Sequence, residues 1–308
     1  MTVRPQAVLI AGPTASGKSA AALSLASALR GTVINADSMQ AYSELAILTA
    51  RPSDADMKLA PHRLYGTVPA SQAYSVGSWL DAAAAAIAEA QGEGRVPILV
   101  GGTGLYFKAL LEGLAPVPDV PAEIRAYWRE QSKSFDAEGL HAALAAIDPA
   151  MAGKLRPSDP QRIVRALEVI DATGVSLIEW QGNATAPMLG PEGILKLVIA
   201  PEREPLYPRI DARFDRMIEA GAMDEVRSLL ALGLDDGLPA MRAHGMRELA
   251  AYLTGASSLE DAVTKAKTES RRYAKRQMTW ARRYMVDWEW FPDAGTAVDA
   301  VQAALSRP

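Results

Sequence analysis

Apolar and polar residues follow a strand–helix rhythm along the first hundred residues. Three short runs that are apolar at their centres predict strands at residues 6–12, 32–37 and 95–102. Between them, helical periodicity predicts helices at residues 17–29 and 71–91. An unbroken apolar strand is typical of burial on both faces, and strands that alternate with helices favour a parallel sheet covered by helices.

The pattern changes after Gly113, where a proline-rich stretch resembles a domain junction. Only helical patterns follow, at residues 122–133, 138–146, 149–154 and 160–173, before residues 194–200 return to a buried-type strand. The sequence therefore predicts an α/β core from residues 1–118 and 190–308. An all-helical insertion domain would occupy residues 119–189.

The C-terminal third is predicted to be helical. Its longest helix would run from Ser258 to about Tyr284, beginning with the capping-box pattern Ser258-x-x-Asp261. We expect its packing face to carry the aromatic residues Tyr273, Trp280 and Tyr284.

Composition excludes several classes of protein. The chain has 308 residues, of which 49% are hydrophobic and 22% charged, as in ordinary globular proteins. It has no cysteine, which excludes disulfides and thiolate metal sites. Its three histidines lie far apart in the sequence. No apolar stretch is long enough for a membrane span, and residues 1–5 lead towards a strand without a signal-peptide pattern. We expect a cytoplasmic protein, and a monomer because no dimerisation pattern stands out.

Charge is unevenly distributed. The net charge of −4 argues weakly against nucleic-acid binding, but residues 265–283 contain eight Lys or Arg and a single acid, Glu269. A basic stripe of this kind can bind a phosphate backbone. Taken alone, it is more often a solvated helix face.

A phosphate-binding loop joins the first predicted strand to the first helix. It has the spacing Gly-x4-Gly-Lys-Ser and consists of Gly12, Pro13, Thr14, Ala15, Ser16, Gly17, Lys18 and Ser19. Its backbone N–H groups and the helix N-terminus would bind a polyphosphate. Lys18 would contact the terminal phosphate and Ser19 would bind Mg²⁺. The motif does not identify the group attached to the phosphates.

Polar residues follow the other two strands of the core. Asp37 comes after the second strand, at the edge where open α/β sheets bind ligands. Thr103 follows Gly101-Gly102, where a kinase would be expected to carry an acid. Simple capping of the following turn is an alternative role for Asp37 and for Thr103. Ser38 and Gln40 could bind the edge of a base.

Several motifs together resemble the tRNA dimethylallyltransferase family, in bacterial form. They are Gly12–Ser19, Asp37-Ser38-Met39-Gln40 with Tyr42, Thr49-Ala50-Arg51-Pro52, Pro61-His62-Arg63-Leu64, Gly101-Gly102-Thr103-Gly104-Leu105-Tyr106, Asp159-Pro160-Gln161-Arg162 with Arg165-Ala166-Leu167-Glu168, and Lys275-Arg276-Gln277-x-Thr279-Trp280. They occur in the family's order over residues 7–284.

The resemblance implies transfer of a dimethylallyl group from its diphosphate to the exocyclic amine of the adenosine 3′-adjacent to the anticodon. Asp37 would accept the amine proton as general base, and Lys18, Thr103 and Mg²⁺ would stabilise the leaving diphosphate. Arg213 matches an arginine expected to contact the diphosphate, although a solvated helix arginine is an equally good reading of Arg213 alone. The acceptor adenine would leave its stack to enter the site.

The resemblance also implies partners along the anticodon stem-loop. The expected tRNA contacts are Asp37, Ser38, Met39, Gln40, Thr103, Arg125, Gln161, Arg162, Arg165, Arg242, Arg247, Lys275, Arg276, Gln277, Trp280 and Arg282. One departure is Met246, which stands where the family usually has an aromatic residue and puts a stacking contact there in doubt.

Other functions remain open at the level of sequence. An adenylate isopentenyltransferase would use the same chemistry on a free nucleotide, but it would need neither the insertion nor the basic helix. An ATP-dependent small-molecule kinase would use the same loop, but would be expected to carry the acid that is missing after residues 97–100. A nucleotide-switched RNA-binding protein would not need a base at Asp37.

Overall fold

The computed structural model describes residues 4–306. Residues 1–3, part of the stretch in which no signal-peptide pattern was expected, lie outside the described residues. Six strands form one sheet: β1 (Ala7–Ala11), β2 (Gly31–Asn35), β3 (His62–Arg63), β4 (Val96–Gly101), β5 (Ile194–Ile199) and β6 (Glu289–Phe291). All pairings are parallel, in the order β3-β2-β4-β1-β5-β6. The predicted α/β fold with a parallel sheet is confirmed.

The described α-helices are α1 (Lys18–Leu29), α2 (Asp54–Leu59), α3 (Val76–Gly92), α4 (Gly104–Glu112), α5 (Ala122–Ser134), α6 (Ala137–Ile147), α7 (Pro149–Ala152), α8 (Pro160–Thr173), α9 (Leu177–Gly182), α10 (Arg203–Glu219), α11 (Ala222–Ala231), α12 (Met246–Leu253), α13 (Leu259–Tyr284) and α14 (Ala294–Leu305). A short 3-10 helix covers Pro239–Arg242.

Every residue of β1, β2 and β4 is buried, which accounts for their unbroken apolar sequences. Alternate side chains of these strands, among them Val8, Val33 and Ile98, pack with residues of α1 and α14 in one core cluster. The three strands end side by side, so the loops that follow them meet at one edge of the sheet.

Most predicted elements are confirmed, with small differences at their ends. The strand predicted to reach Asp37 ends at Asn35, and the helix predicted from residue 71 begins after Ser75, whose Oγ accepts a hydrogen bond from the Ser78 N–H at 3.0 Å. β3 and β6 were not predicted because two- and three-residue edge strands have no measurable periodicity.

The chain divides into two compact units, Met1–Leu111 with Leu189–Pro308, and Glu112–Met188. The sequence places the divisions at residues 118/119 and 189/190, a few residues later in the chain. The first unit contains the sheet. The second contains α5 to α9 around its own core, in which Trp128, Leu140, Leu144 and Leu167 are buried.

The packing face of α13 differs from the prediction. Its buried residues are small ones, namely Ala262, Ala266, Ser270, Ala274 and Ala281. Small side chains allow α13 to lie close to α10 and α12. The expected aromatic face is wrong in part, because Trp280 is half-buried and Tyr284 is exposed.

Among residues 4–306, no helix combines the length and apolarity that crossing a membrane requires. Within the same residues, no group of three or more His, Cys, Asp or Glu side chains is arranged to hold a metal ion.

Candidate active site

The phosphate loop lies between β1 and α1, as its motif predicts. Two of its residues have left-handed backbone, Ala15 at φ 61° and Gly17 at φ 92°. Gly12 has no room for a side chain, since a Cβ there would lie 2.6 Å from the Ile199 carbonyl oxygen. The chain then enters α1 at Lys18, so the N–H groups of the first helical turn are available to an anion.

Three arginines of α10 face this loop. Arg209, Arg213 and Arg216 line one cavity of about 300 Å³ together with residues 15–19 of the loop. Sequence reasoning selected only Arg213. The spacing i, i+4, i+7 would have revealed the other two, because it places all three on one helix face.

Lys18 is buried at the centre of the site, where its Nζ donates to the Pro13 carbonyl oxygen at 3.2 Å. Burial lowers the pKa of Lys18 to about 8; nearby Asp37 opposes this shift and Arg213 adds to it. Burial also lowers the pKa of Arg213, whose Nη2 donates to the Thr49 carbonyl oxygen at 3.2 Å. An anionic ligand would offset the cost of holding these two cations close together.

Asp37 lies in the loop after β2, held by the side chain of Asn35. The Asn35 Oδ1 accepts from the Asp37 N–H at 2.8 Å, and the Asn35 Nδ2 donates to the Asp37 carbonyl oxygen at 2.9 Å. The carboxylate accepts one hydrogen bond, to Oδ1 from the Met39 N–H at 3.1 Å. Within residues 4–306 no hydrogen bond reaches Oδ2, which therefore keeps free lone pairs.

Thr103 connects the loop after β4 to the loop that carries Asp37. Its Oγ1 accepts from the Ser38 N–H at 3.0 Å and lies 3.3 Å from the Ser38 Oγ. The close contact continues at Gly101, where a Cβ would lie 2.0 Å from the Ala36 carbonyl oxygen. The glycines after β4 therefore allow the two loops to meet.

Gln277 of α13 bridges the phosphate loop and the loop after β4. Its Oε1 accepts from the Thr14 N–H at 3.0 Å, and its Nε2 donates to the Gly102 carbonyl oxygen at 3.1 Å. A Cβ on Gly102 would lie 2.0 Å from that Nε2. The amide of Gln277 thus fixes two loops of the site from a third element.

Residues of these loops and of α13 line two cavities. One of about 60 Å³ is lined by Lys18, Asp37, Arg213, His244 and Tyr273, among others, so cations and a carboxylate share one space. Another of about 300 Å³ is lined by residues 101–105 and by the side of α13 that carries Arg276, Gln277 and Trp280. Gly104 allows the Trp280 ring to approach, because a Cβ there would lie 2.1 Å from it.

His244 and Tyr273 are site residues that sequence reasoning missed. Their rings lie 4.1 Å apart between centroids, and both line the smaller cavity with Asp37. Burial lowers the pKa of His244, and Arg276 lowers it further, so the imidazole is neutral near pH 7. No local motif marks His244, which comes to the site through the packing of α12 and α13.

Glu225 of α11 shapes the segment that contacts Arg213. Its carboxylate accepts from the backbone N–H groups of Ala46 and Ile47 at 2.7 Å each and of Leu48 at 2.9 Å. Thr49, the next residue, presents its carbonyl oxygen to Arg213 and to the Gln40 Nε2. A contact across about 180 residues leaves no pattern in the sequence.

Comparison with known proteins decides the family. The IPP transferase family model matches residues 40–284, and the isopentenyl transferase model matches residues 5–68. A tRNA dimethylallyltransferase of Rhodopseudomonas palustris (strain BisB18) is 53% identical over 287 residues, which is 93% of this chain and 91% of the relative. The chain belongs to the tRNA dimethylallyltransferase family.

Another tRNA dimethylallyltransferase, from Bradyrhizobium sp. (strain ORS 278), is 53% identical over 94% of both chains. Solved structures agree. The tRNA isopentenylpyrophosphate transferase of Bacillus halodurans has a TM-score of 0.69 at 35% identity, covering 97% of this chain and 96% of that one. A eukaryotic dimethylallyltransferase acting on tRNA has a TM-score of 0.76 at 29% identity, covering 89% and 69%.

The residues that the tRNA dimethylallyltransferase resemblance assigns to RNA lie in both units. Arg125, Gln161, Arg162 and Arg165 belong to the helical unit, where each arginine has an acidic neighbour: Asp119 at 3.7 Å, Asp159 at 3.3 Å and Glu168 at 3.5 Å, respectively. The Arg125 and Arg162 pairs are exposed and therefore weak, whereas the Glu168 carboxylate beside Arg165 is buried.

The others belong to the unit that contains the sheet. Arg242 and Arg247 are exposed beside the start of α12, and Lys275, Arg276 and Arg282 are exposed on α13.

Three side chains have internal partners that the sequence did not reveal. The Gln40 Nε2 donates a hydrogen bond to the Thr49 carbonyl oxygen at 2.9 Å. Arg271, part of the basic stripe, pairs with Asp211 at 2.6 Å. Met246, at the position where a stacking contact was in doubt, is buried in the core and not available to a ligand.

Proposed function

We propose that this protein transfers a dimethylallyl group from dimethylallyl diphosphate to the exocyclic amine of the adenosine 3′-adjacent to the anticodon in tRNA. The observation that carries the proposal is that Lys18, Arg213 and Asp37 line one cavity. Two cations suited to a diphosphate and a carboxylate suited to a base would thereby share one reaction space. Family membership supplies the substrate class.

The phosphate loop and the α10 arginines would bind the diphosphate as a leaving group. Backbone N–H groups of residues 15–19, with Lys18 and Arg213, would stabilise the negative charge that grows as the allylic carbon–oxygen bond breaks. Pre-placed cations in a partly buried cavity act more strongly than cations in water.

The donor set fits a magnesium ion bound mainly through the substrate. The Ser19 hydroxyl is exposed in the same cavity as the three arginines and is a single oxygen ligand. Mg²⁺ commonly takes one or two protein oxygens together with phosphate oxygens and water. When bound, it would neutralise further charge on the diphosphate.

Asp37 would accept the proton that the adenine amine loses as its nitrogen bonds to the allylic carbon. The free lone pairs on Oδ2 and the Asn35 side chain that holds the backbone support this role. The neutral His244 and half-buried Tyr273 would help to keep water from the cavity. Thr103, tied to Ser38, would hold the two loops at the distance the reaction needs.

The acceptor adenine would reach this space by leaving its stack. The exposed cations of α13, with Arg242 and Arg247 near α12, would hold the phosphate backbone in the sheet unit. Arg125, Gln161, Arg162 and Arg165 would do so in the helical unit. We expect the acceptor to be an anticodon stem-loop and the enzyme to act as a cytoplasmic monomer.

A single incubation tests the proposal. The protein is mixed with anticodon stem-loop RNA, Mg²⁺ and either dimethylallyl diphosphate or ATP, and the RNA is digested and analysed by mass spectrometry. Prenylated adenosine formed without ATP is the expected result. Prenylation of free AMP but not of RNA would favour an adenylate isopentenyltransferase, and ATP-dependent phosphorylation would favour a kinase.

A further inference from the structure

A groove lies at the carboxyl ends of β5 and β6, between the first half of α10 and the last half of α13. It measures about 450 Å³, and we call it the β5–β6 groove. Its lining includes Arg203, Tyr207, Lys275, Arg282, Trp290 and Phe291. It shares no lining residue with the three cavities of the candidate active site.

Three cations of the groove are uncompensated. Arg203, Lys275 and Arg282 are exposed, and none has an ion-pair partner among the described residues. Earlier on α13 the situation is different, because Lys267 and Arg271 are paired with acids of α10. Glu202 is the one acid in the lining, so the groove is positive and suits a phosphate.

Aromatic rings form the walls of the same groove. Tyr207, Trp290 and Phe291 are half-buried, so part of each ring faces the open space. The Trp290 Nε1 donates to the Met285 carbonyl oxygen at 3.1 Å, which fixes the indole. The Arg203 guanidinium lies 6.0 Å from the centroid of the Tyr207 ring. A base can stack on an aromatic ring or on a guanidinium plane.

We propose that the β5–β6 groove binds an unstacked nucleotide of the RNA substrate other than the acceptor adenosine. Its phosphate would lie against Arg203, Lys275 and Arg282, and its base against Tyr207 or Trp290. Fixed aromatic walls beside unpaired cations are the combination by which proteins hold single-stranded nucleotides. The inference rests on the proposed function, since it requires an RNA substrate.

The test compares two charge reversals on opposite edges of the sheet. Arg203→Glu changes the groove, and Arg30→Glu makes the same change at the end of α1, where Arg30 is also exposed. Affinity for fluorescent anticodon stem-loop RNA is measured at several salt concentrations. We expect Arg203→Glu to raise the Kd about tenfold more than Arg30→Glu and to reduce the salt slope by about one.

A stacking variant completes the test. Tyr207→Leu keeps apolar bulk and removes the ring face, so it should weaken RNA binding about tenfold at any salt concentration. The KM for dimethylallyl diphosphate should be unchanged in Tyr207→Leu and Arg203→Glu. If both variants bound RNA with wild-type affinity while the wild-type enzyme prenylated the stem-loop, the groove would not bind a nucleotide of the RNA. The proposed function would then remain intact.

The absence of prenylation by the wild-type enzyme would overturn the proposed function and the inference with it. A free mononucleotide provides the last arm. If Arg203→Glu abolished binding of AMP but not of the stem-loop, the groove would belong to a small ligand and the inference would be wrong.

Discussion

The Oε1 of Gln277 accepts a hydrogen bond from the backbone N–H of Thr14 at 3.0 Å, which joins α13 to the phosphate loop. The same amide donates to the Gly102 carbonyl oxygen at 3.1 Å. Both polar atoms of a residue assigned to RNA by family resemblance are therefore used in contacts within the protein. This arrangement makes Gln277 a positioning residue for the phosphate loop in the free protein.

Gln277→Leu should weaken the binding of inorganic diphosphate about tenfold in the absence of RNA, because it leaves a partly buried N–H without an acceptor. Isothermal titration calorimetry measures this directly. Gln161→Leu is the matched control, since Gln161 is exposed on α8 and should affect only RNA binding. If Gln277→Leu left the diphosphate affinity unchanged and lowered the RNA affinity, Gln277 would be an RNA contact and not a positioning residue for the phosphate loop.

Lys18 should make diphosphate binding depend on pH. Because its pKa is lowered to about 8, the cation is present below that pH and is lost as the pH rises through it. The affinity for inorganic diphosphate should then fall by up to about tenfold per pH unit above 8, in a titration series from pH 6.5 to 9.5. Lys18→Arg stays protonated over this range, so parallel curves for the two proteins would contradict the assignment.

The sequence predicted the parts of the site that depend on local geometry. The phosphate-loop spacing fixes a turn between β1 and α1, and Asp37 and Thr103 each follow a core strand. Since neighbouring parallel strands end at one edge, these loops had to meet. Gly101 and Gly102 leave no space for a Cβ, because the Ala36 backbone and the Gln277 side chain lie against them.

The rest depends on contacts between residues far apart in the chain. Gln277 and Thr14 are 263 positions apart, and Glu225 reaches Ala46 across 179. The basic stripe of α13 could be recognised in the sequence. The ion pair between Arg271 and Asp211 could not be predicted, because it depends on how α10 packs against α13. The same packing decided that small residues, and not aromatic ones, form the buried face of α13.

Asp37→Asn should lower prenylation by about 10²–10⁴-fold while RNA binding stays within a few-fold of wild type. An amide has the size of the carboxylate but cannot accept the amine proton. The backbone at residue 37 should keep its place because Asn35, and not the Asp37 side chain, holds it. Single-turnover kinetics with saturating RNA and diphosphate measure the chemical step, and near-normal turnover would remove Asp37 as the base.

Glu225→Gln should destabilise the protein by about 1–3 kcal/mol, since one oxygen that accepts backbone N–H bonds becomes an NH₂ donor facing them. Urea unfolding followed by circular dichroism gives the change. Glu219→Gln, at an exposed site on α10, is the control and should shift stability by less than about 0.5 kcal/mol. Equal stability of the two variants would mean that Glu225 contributes no more than a surface carboxylate.

Arg276→Ala should weaken binding of the stem-loop and reduce the slope of log Kd against log salt by about one, because one phosphate contact is lost. Arg276 is exposed, has no ion pair among the described residues, and lies 5.7 Å from the centroid of the Tyr273 ring. Arg272, four residues earlier, is the control because it already pairs with Glu269 at 2.6 Å. Arg272→Ala should therefore change the salt slope less, and equal slopes in the two variants would show that internal pairing does not decide which cations of α13 contact RNA.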